Sequence, residues 1–188
     1  MSLLQTGIAK SGAADAYTID NSLRFNSPDD PNLQLTLPSG GSDVYTFSAW
    51  IKLGKITADY YNIWTAHQTD GGDYYELFRI NNDGTLFWKM INNVRAGEIW
   101  TDAVFRDPSA WYHVLFQRNS TAVKIYVNGV DQPLDDSESP TASITWLNDD
   151  TYPIRIGDRI DSQGVSFDGL LAEVYFIDGT AYDADDFG

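Results

Sequence analysis

The stretch Val123-Lys-Ile-Tyr-Val-Asn-Gly-Val130 decides the fold class. Val123, Ile125 and Val127 alternate with Lys124 and Tyr126, the period of two that sends successive side chains to opposite faces of a strand. Asn128-Gly129 follows, a dipeptide that tolerates the positive φ angles of a tight hairpin turn before Val130. Asp83-Gly84 does the same between Tyr74–Asn81 and Thr85–Ile91. Outward from these two hairpins, strand character recurs in Ser22–Asn26, Val44–Lys52, Asn62–His67, Trp111–Arg118, Tyr152–Ile156 and Leu170–Ile177. Ser27-Pro-Asp-Asp-Pro31, Pro38-Ser-Gly-Gly41, Gly71-Gly72 and Asp107-Pro108 punctuate them. No apolar i, i+3, i+4 pattern is sustained, and only Asp107–Ala110 and Ala184–Phe187 suggest single helical turns. About ten short strands with polar turns describe an all-β protein, a two-sheet antiparallel β-sandwich of the jelly-roll kind.

The acids agree with that expectation. The 188 residues carry 12 basic and 27 acidic side chains, a formal charge of −15, and 23 of the acids are Asp against four Glu. Asp bonds its own backbone and favours turns, whereas Glu favours helices. The length fits one domain, with an Ala-, Gly- and Ser-rich arm over residues 1–20 leading into a domain over 21–188. The start, Met1-Ser-Leu-Leu-Gln-Thr-Gly7, has no basic n-region or apolar h-region. Nor is there an apolar run long enough for membrane insertion. The absence of cysteine excludes a disulfide framework and thiolate metal sites. So acidic a field repels phosphate backbones, which argues against nucleic acid as a partner.

In Trp111–Arg118, Tyr112, Val114 and Phe116 oppose Trp111, His113, Leu115 and Gln117; in Leu170–Ile177, Leu170, Ala172, Val174 and Phe176 oppose Leu171, Glu173, Tyr175 and Ile177. One set faces a core, and the other keeps aromatics and some polar groups. A covered outer face and a large aromatic core both fit.

Five segments then resemble the concanavalin A-like lectin/glucanase superfamily, in particular its laminin G-like and pentraxin-like jelly rolls. They are Tyr45-Thr-Phe-Ser-Ala-Trp-Ile-Lys52, Trp111-Tyr-His-Val114, Lys124-Ile-Tyr-Val-Asn-Gly129, Ile154-Arg-Ile-Gly157 and Phe167-Asp-Gly-Leu-Leu-Ala-Glu-Val174. The ending through Asp183-Ala-Asp-Asp-Phe-Gly188, the opening heptad, Ile19–Asn26 and Val104–His113 look like laminin G-like domains of tailed-phage virion proteins. The resemblance implies a virion structural protein at the particle surface, in a tail fibre or spike, a head fibre or a decoration layer. It also implies other virion proteins as partners, a homo-oligomer with a trimer favoured, and a role in assembly or host attachment. A lectin domain binding a host-surface glycan is the alternative, and a glycan depolymerase the third reading.

Residue chemistry bears on the last two. The superfamily's glucanases place two Glu a few residues apart on one strand as nucleophile and acid. Glu76, Glu98, Glu138 and Glu173 are all widely separated, and no nucleophile elbow or phosphate loop is present. The expectation is therefore no enzyme and no catalytic residues. Sugars stack on exposed aromatic rings beside carboxylates and amides. Tyr60, Tyr61, Trp100 and Trp146 lie in or near polar segments and are candidates for that role, with Trp50, Trp64, Trp88 and Trp111 expected inside. Calcium takes flexible oxygen-rich loops, and Asp70 with Asp73, Asn148-Asp149-Asp150, and Asp158 with Asp161 are the candidate ligands, against the alternative of solvated turn acids. No cofactor is required. The paired acids Asp29-Asp30 and Asp135-Asp136 are expected in turns, and His113 is expected to make a structural hydrogen bond.

Overall fold

The computed structural model describes residues 19–36, 42–55, 60–67, 74–138, 140, 153–159 and 165–187. Among these residues fourteen strands form two sheets. They are β1 (Leu23–Phe25), β2 (Leu33–Leu35), β3 (Val44–Leu53), β4 (Tyr61–His67), β5 (Tyr74–Ile80), β6 (Thr85–Asn92) and β7 (Val94–Val104). The remainder are β8 (Tyr112–Asn119), β9 (Ala122–Val127), β10 (Val130–Asp131), β11 (Leu134–Glu138), β12 (Ile154–Ile156), β13 (Val165–Ser166) and β14 (Gly169–Asp178). The first sheet runs β1-β14-β3-β8-β9-β10 and the second β11-β7-β6-β5-β4-β12-β2. All pairs are antiparallel except β13, which runs parallel to β4. This is the expected jelly-roll sandwich.

Both hairpins form, by different turns. Asn128 and Gly129 have φ of 50° and 78°, so both central residues are left-handed and β9 pairs directly with β10 through Val127 and Val130. Between β5 and β6 only Gly84 is left-handed, at φ 85°. The Gly84 amide donates to the Asn81 carbonyl and the Asn81 amide to the Thr85 carbonyl, a turn closed by a glycine bulge.

The core lies between the sheets. Tyr45, Phe47 and Ile51 of β3, Trp64 of β4, Phe78 of β5, Trp88 of β6 and Phe116 of β8 are fully buried. Edge-to-face contacts, such as Trp64 to Tyr45 and Trp64 to Phe116, orient the rings. Each such side chain contributes roughly 1.5–3 kcal/mol by leaving water. One charged group bridges the sheets inside this core. Glu76 Oε1 accepts from Trp88 Nε1 at 2.9 Å and Arg118 Nη1 at 3.1 Å, and also from the Tyr45 hydroxyl. Burial, then the Glu76 charge, pushes the Tyr45 phenol well above its ordinary value. Burial works against the Arg118 cation, yet Glu76 and Tyr45 together hold its pKa above the ordinary value.

Several expectations change. Strands β2, β7, β11 and β13 come from segments without strong strand character. β7 faces the core with Ala96, Ile99 and Thr101 and turns Glu98 outward, so small and polar residues dilute its alternation. Asp135 and Asp136 are on strand β11, not in a turn, and Asp135 pairs with Trp100 where β11 ends the second sheet among the described residues. Asp107–Ala110 is a turn rather than a helical one, because the Asp107 carboxylate accepts from Ser109 N and Oγ at 2.8 and 2.6 Å. Ala184–Phe187 is a 3-10 helix as expected. In β14, Glu173 and Val174 oppose the single position between Trp50 and Ser48, with Glu173 at φ 49°. This bulge switches the inward set from Leu171 to Val174 and Phe176, so no single alternation spans the strand. Trp64 and Trp88 are inside, while Trp50 and Trp111 are only half-buried. The arm expected over residues 1–20 lies outside the described residues through position 18.

Residues 180–187 cover part of the outer face of the first sheet. Thr46 Oγ1 donates to the Thr180 carbonyl at 2.9 Å and accepts from the Tyr182 amide at 2.8 Å, and Gln117 Nε2 donates to the Tyr182 carbonyl at 2.8 Å. Phe187 packs on His113, Tyr175 and Tyr182, and Ala184 joins Leu115 and Tyr126 in a small buried cluster. His113 lies 2.8 Å from Ser48 Oγ, the expected structural bond.

Candidate functional site

The outer face of the second sheet is built by the same alternation that fills the core. On β5, Phe78 and Ile80 point inward, so Leu77 and Arg79 point outward. On β6, Trp88 and Met90 are inside, which leaves Phe87 and Lys89 outside; on β7, Ile99 is inside and Trp100 outside. Strand register then lines up Arg79, Phe87, Trp100 and Asp135 across four neighbouring strands. Leu77 and Phe87 are buried although they lie on this outer face, and Phe87 forms part of a floor.

A groove of about 280 Å³ opens over that row, lined by Tyr60, Arg79, Asn81, Asn82, Asp83, Thr85, Phe87, Glu98 and Trp100. Phe87 and Trp100 are near parallel, with centroids 6.4 Å apart and planes 20° apart. The Arg79 guanidinium packs 4.1 Å from the Tyr60 ring and 4.4 Å from the Phe87 ring. Its Nε donates to Asn81 Oδ1 at 3.0 Å, and Asn81 Nδ2 donates to Thr85 Oγ1 at 3.2 Å. The β5–β6 turn thus supplies the polar end of the groove, and the aromatic rings supply its body.

The groove's two carboxylates are already engaged. Asp83 Oδ1 accepts from Thr85 N at 2.9 Å and Thr85 Oγ1 at 2.7 Å; burial opposes its charge, but these bonds outweigh it and lower the pKa. Glu98 Oε2 lies 3.1 Å from Arg95 Nε and 3.6 Å from Lys89 Nζ. Burial pulls the Arg79 pKa below its ordinary value, though a guanidinium remains cationic at neutral pH. Among the described residues no carboxylate lies within ion-pair distance of Arg79.

The sequence candidates fare unequally. Tyr60, 39% exposed, and Trp100 meet in the groove, and Trp100 does so from strand β7 rather than from a loop. Tyr61 is corrected: it begins β4 facing the core and is 2% exposed, leaving no ring face for a sugar. Trp146 lies outside the described residues, as do Asp70, Asp73, Asp149, Asp150 and Asp161. Asp158 is buried; Ser166 Oγ lies 2.9 Å from its Oδ1 and Arg155 Nη1 3.4 Å from its Oδ2. These partners account for its carboxylate without a cation. Among the described residues no three His, Cys, Asp or Glu side chains gather as a metal site would require. Arg79, Phe87 and Asn81 were not among the sequence candidates. The signal was present, since Asp83-Gly84 fixes the hairpin register that sets Arg79 beside Phe87.

A family model described as the concanavalin A-like lectin/glucanases superfamily matches residues 26–185. The chain belongs to this superfamily. Its lectin-like jelly roll is similar to several solved structures, at identities that speak for the fold alone. The CBM40 of the Ruminococcus gnavus IT-sialidase, bound to α2,3 sialyllactose, is 14% identical with a TM-score of 0.65, covering 90% of this chain and 95% of that one. A heptameric SAP-like pentraxin from Limulus polyphemus is 17% identical with a TM-score of 0.57, covering 88% and 78%. Tailspike protein 2 of Escherichia coli O157:H7 bacteriophage CAB120 is 14% identical with a TM-score of 0.63, covering 88% of this chain but 23% of that one. No curated protein matches the chain.

Proposed function

We propose that this superfamily member is a non-catalytic glycan-binding module that stacks a sugar on Trp100 in the groove of the second sheet. The observation that carries the proposal is the groove itself: aromatic rings with amide and carboxylate groups around them, left open by the described chain. Such a surface matches the two faces of a sugar, apolar C–H on one side and hydroxyls at the rim. The sialyllactose-bound CBM40 neighbour supports the class of ligand. Glu76 is in the core and Glu98 on the outer face, so these two cannot flank one glycosidic bond. The test is a titration of the protein with the glycans it retains on an array. Trp100→Ala is expected to weaken binding by about tenfold or more with the fold intact. Absence of binding by the folded protein to any glycan would end this reading, and release of reducing ends from a host polysaccharide would end the non-catalytic part.

A second reading concerns where the module works. We infer a surface component of a phage virion, assembled with other virion proteins as a homo-oligomer, trimeric by preference. The phage-like opening and closing motifs support it, together with the tailspike neighbour, of which a domain of this size makes up a fraction. Mass spectrometry of purified particles tests it. The chain is expected at a copy number set by particle symmetry, and its absence from particles would contradict the assignment.

A further inference from the structure

We propose that the groove selects an acidic glycan, with Arg79 as the residue that takes the sugar's carboxylate. This rests on the glycan-binding reading above and sharpens it from a sugar to a class of sugar. Among the described residues Arg79 has no carboxylate within ion-pair distance, and it keeps its charge inside the groove rather than out in solvent. The contrast with the other cations around the groove is direct. Lys89 and Arg95 are both taken by Glu98. Arg106 donates from Nε to the Asp83 carbonyl at 2.6 Å. Arg79 alone of these has rings for neighbours. Tyr60 and Phe87 hold its plane, and Asn81 takes Nε. Among the described residues neither Nη group has a protein acceptor, and Arg79 lines the groove.

A guanidinium in that state is desolvated but not neutralised. The rings attract its charge through their quadrupoles and restrict its rotation, so the cost of ordering the side chain is met before any ligand arrives. A planar carboxylate can then accept from the two Nη groups at once, a charge-assisted pair of hydrogen bonds stronger than a neutral sugar hydroxyl would make. Trp100 lies beside Phe87 on the next strand. One ligand can therefore stack its ring on Trp100 while its acid group meets Arg79. The two groove carboxylates do not prevent this, because Asp83 is bonded by Thr85 and Glu98 is paired with two cations.

The test uses an array carrying neutral, carboxylated and sulfated glycans, followed by titration of the best carboxylated ligand and of its carboxyl-reduced form. The expected hits bear a carboxylate, and reduction of that carboxyl weakens binding to the unaltered protein by about tenfold. Arg79→Gln should bind the acidic and reduced forms alike, while Trp100→Ala weakens both. Affinity for the acidic form should also fall as salt is raised. Because the acid-against-reduced comparison needs no variant, a misfolded variant leaves the test decisive. Preferred binding of neutral glycans, lost in Trp100→Ala and unchanged in Arg79→Gln, overturns the acidic preference and leaves the glycan-binding reading standing. Arg79-dependent binding of sulfated glycans only would overturn the carboxylate assignment. Failure to bind any glycan removes both readings together.

Discussion

The two outer faces of this sandwich both carry aromatic clusters, and among the described residues one cluster is packed under residues 180–187 while the other lies beside a groove. On the first sheet, His113, Tyr175 and Leu115 meet residues 184–187, Trp50 packs on His113, and Thr46 and Gln117 satisfy backbone groups of Thr180 and Tyr182. On the second sheet, Phe87, Trp100, Tyr60 and Arg79 surround a groove instead. Surface aromatics therefore do not mark a binding site by themselves. What separates the faces is whether the chain has already supplied the rings and hydrogen bonds that a ligand would bring.

The largest effect should come from the wall between the faces. Arg118→Met leaves Glu76 charged and buried without its cation, at an expected cost of about 3–5 kcal/mol. Arg79→Met, an exchange of the same kind on the open face, should cost less than about 1 kcal/mol. Thermal unfolding of the two variants side by side would show the contrast, and equal losses would break it. Next in size is removal of residues 180–188. This uncovers Leu115 and Tyr126 and is expected to cost roughly 2–4 kcal/mol, followed in the same unfolding experiment and by light scattering, since an apolar patch so exposed should promote association. Phe187→Ala should repeat part of that loss with glycan affinity unchanged.

The smallest effect is a pH dependence confined to the closed face. Burial holds the His113 pKa below its ordinary value near 6.5, so the folded protein resists its protonation. Between the lowered folded value and about 6.5, the unfolded chain binds more protons than the folded one, and stability rises with pH across that window. Below the folded value this contribution is lost and changes no further. His113→Gln should flatten that segment of the stability profile relative to the unaltered protein, with no change in the groove.

The fold was legible because hairpin turns and alternation are local. Asn128-Gly129 and Val123–Val127 needed nothing from elsewhere in the chain. β7 and β11 were not legible, because their strand character depends on neighbours: Ala96 and Thr101 suffice inward only where β6 already supplies Trp88 and Met90. The site was half-legible. Tyr60 and Trp100 stood out as aromatics in polar surroundings, whereas Tyr61 beside Tyr60 turned inward where β4 begins. Arg79 was hidden because its partners come from register across three strands and from a packing contact with Tyr60.

The central claim is that the open face binds a glycan and the closed face does not. The most direct test is to map chemical-shift changes in the isotope-labelled protein as a retained glycan is added. The account predicts the largest changes at the Trp100 indole, the Arg79 side chain and the amides of Asn81 to Thr85, with Trp50, Tyr175 and Phe187 silent. Changes concentrated on Trp50, Tyr175 and Phe187, with Trp100 unmoved, would contradict it.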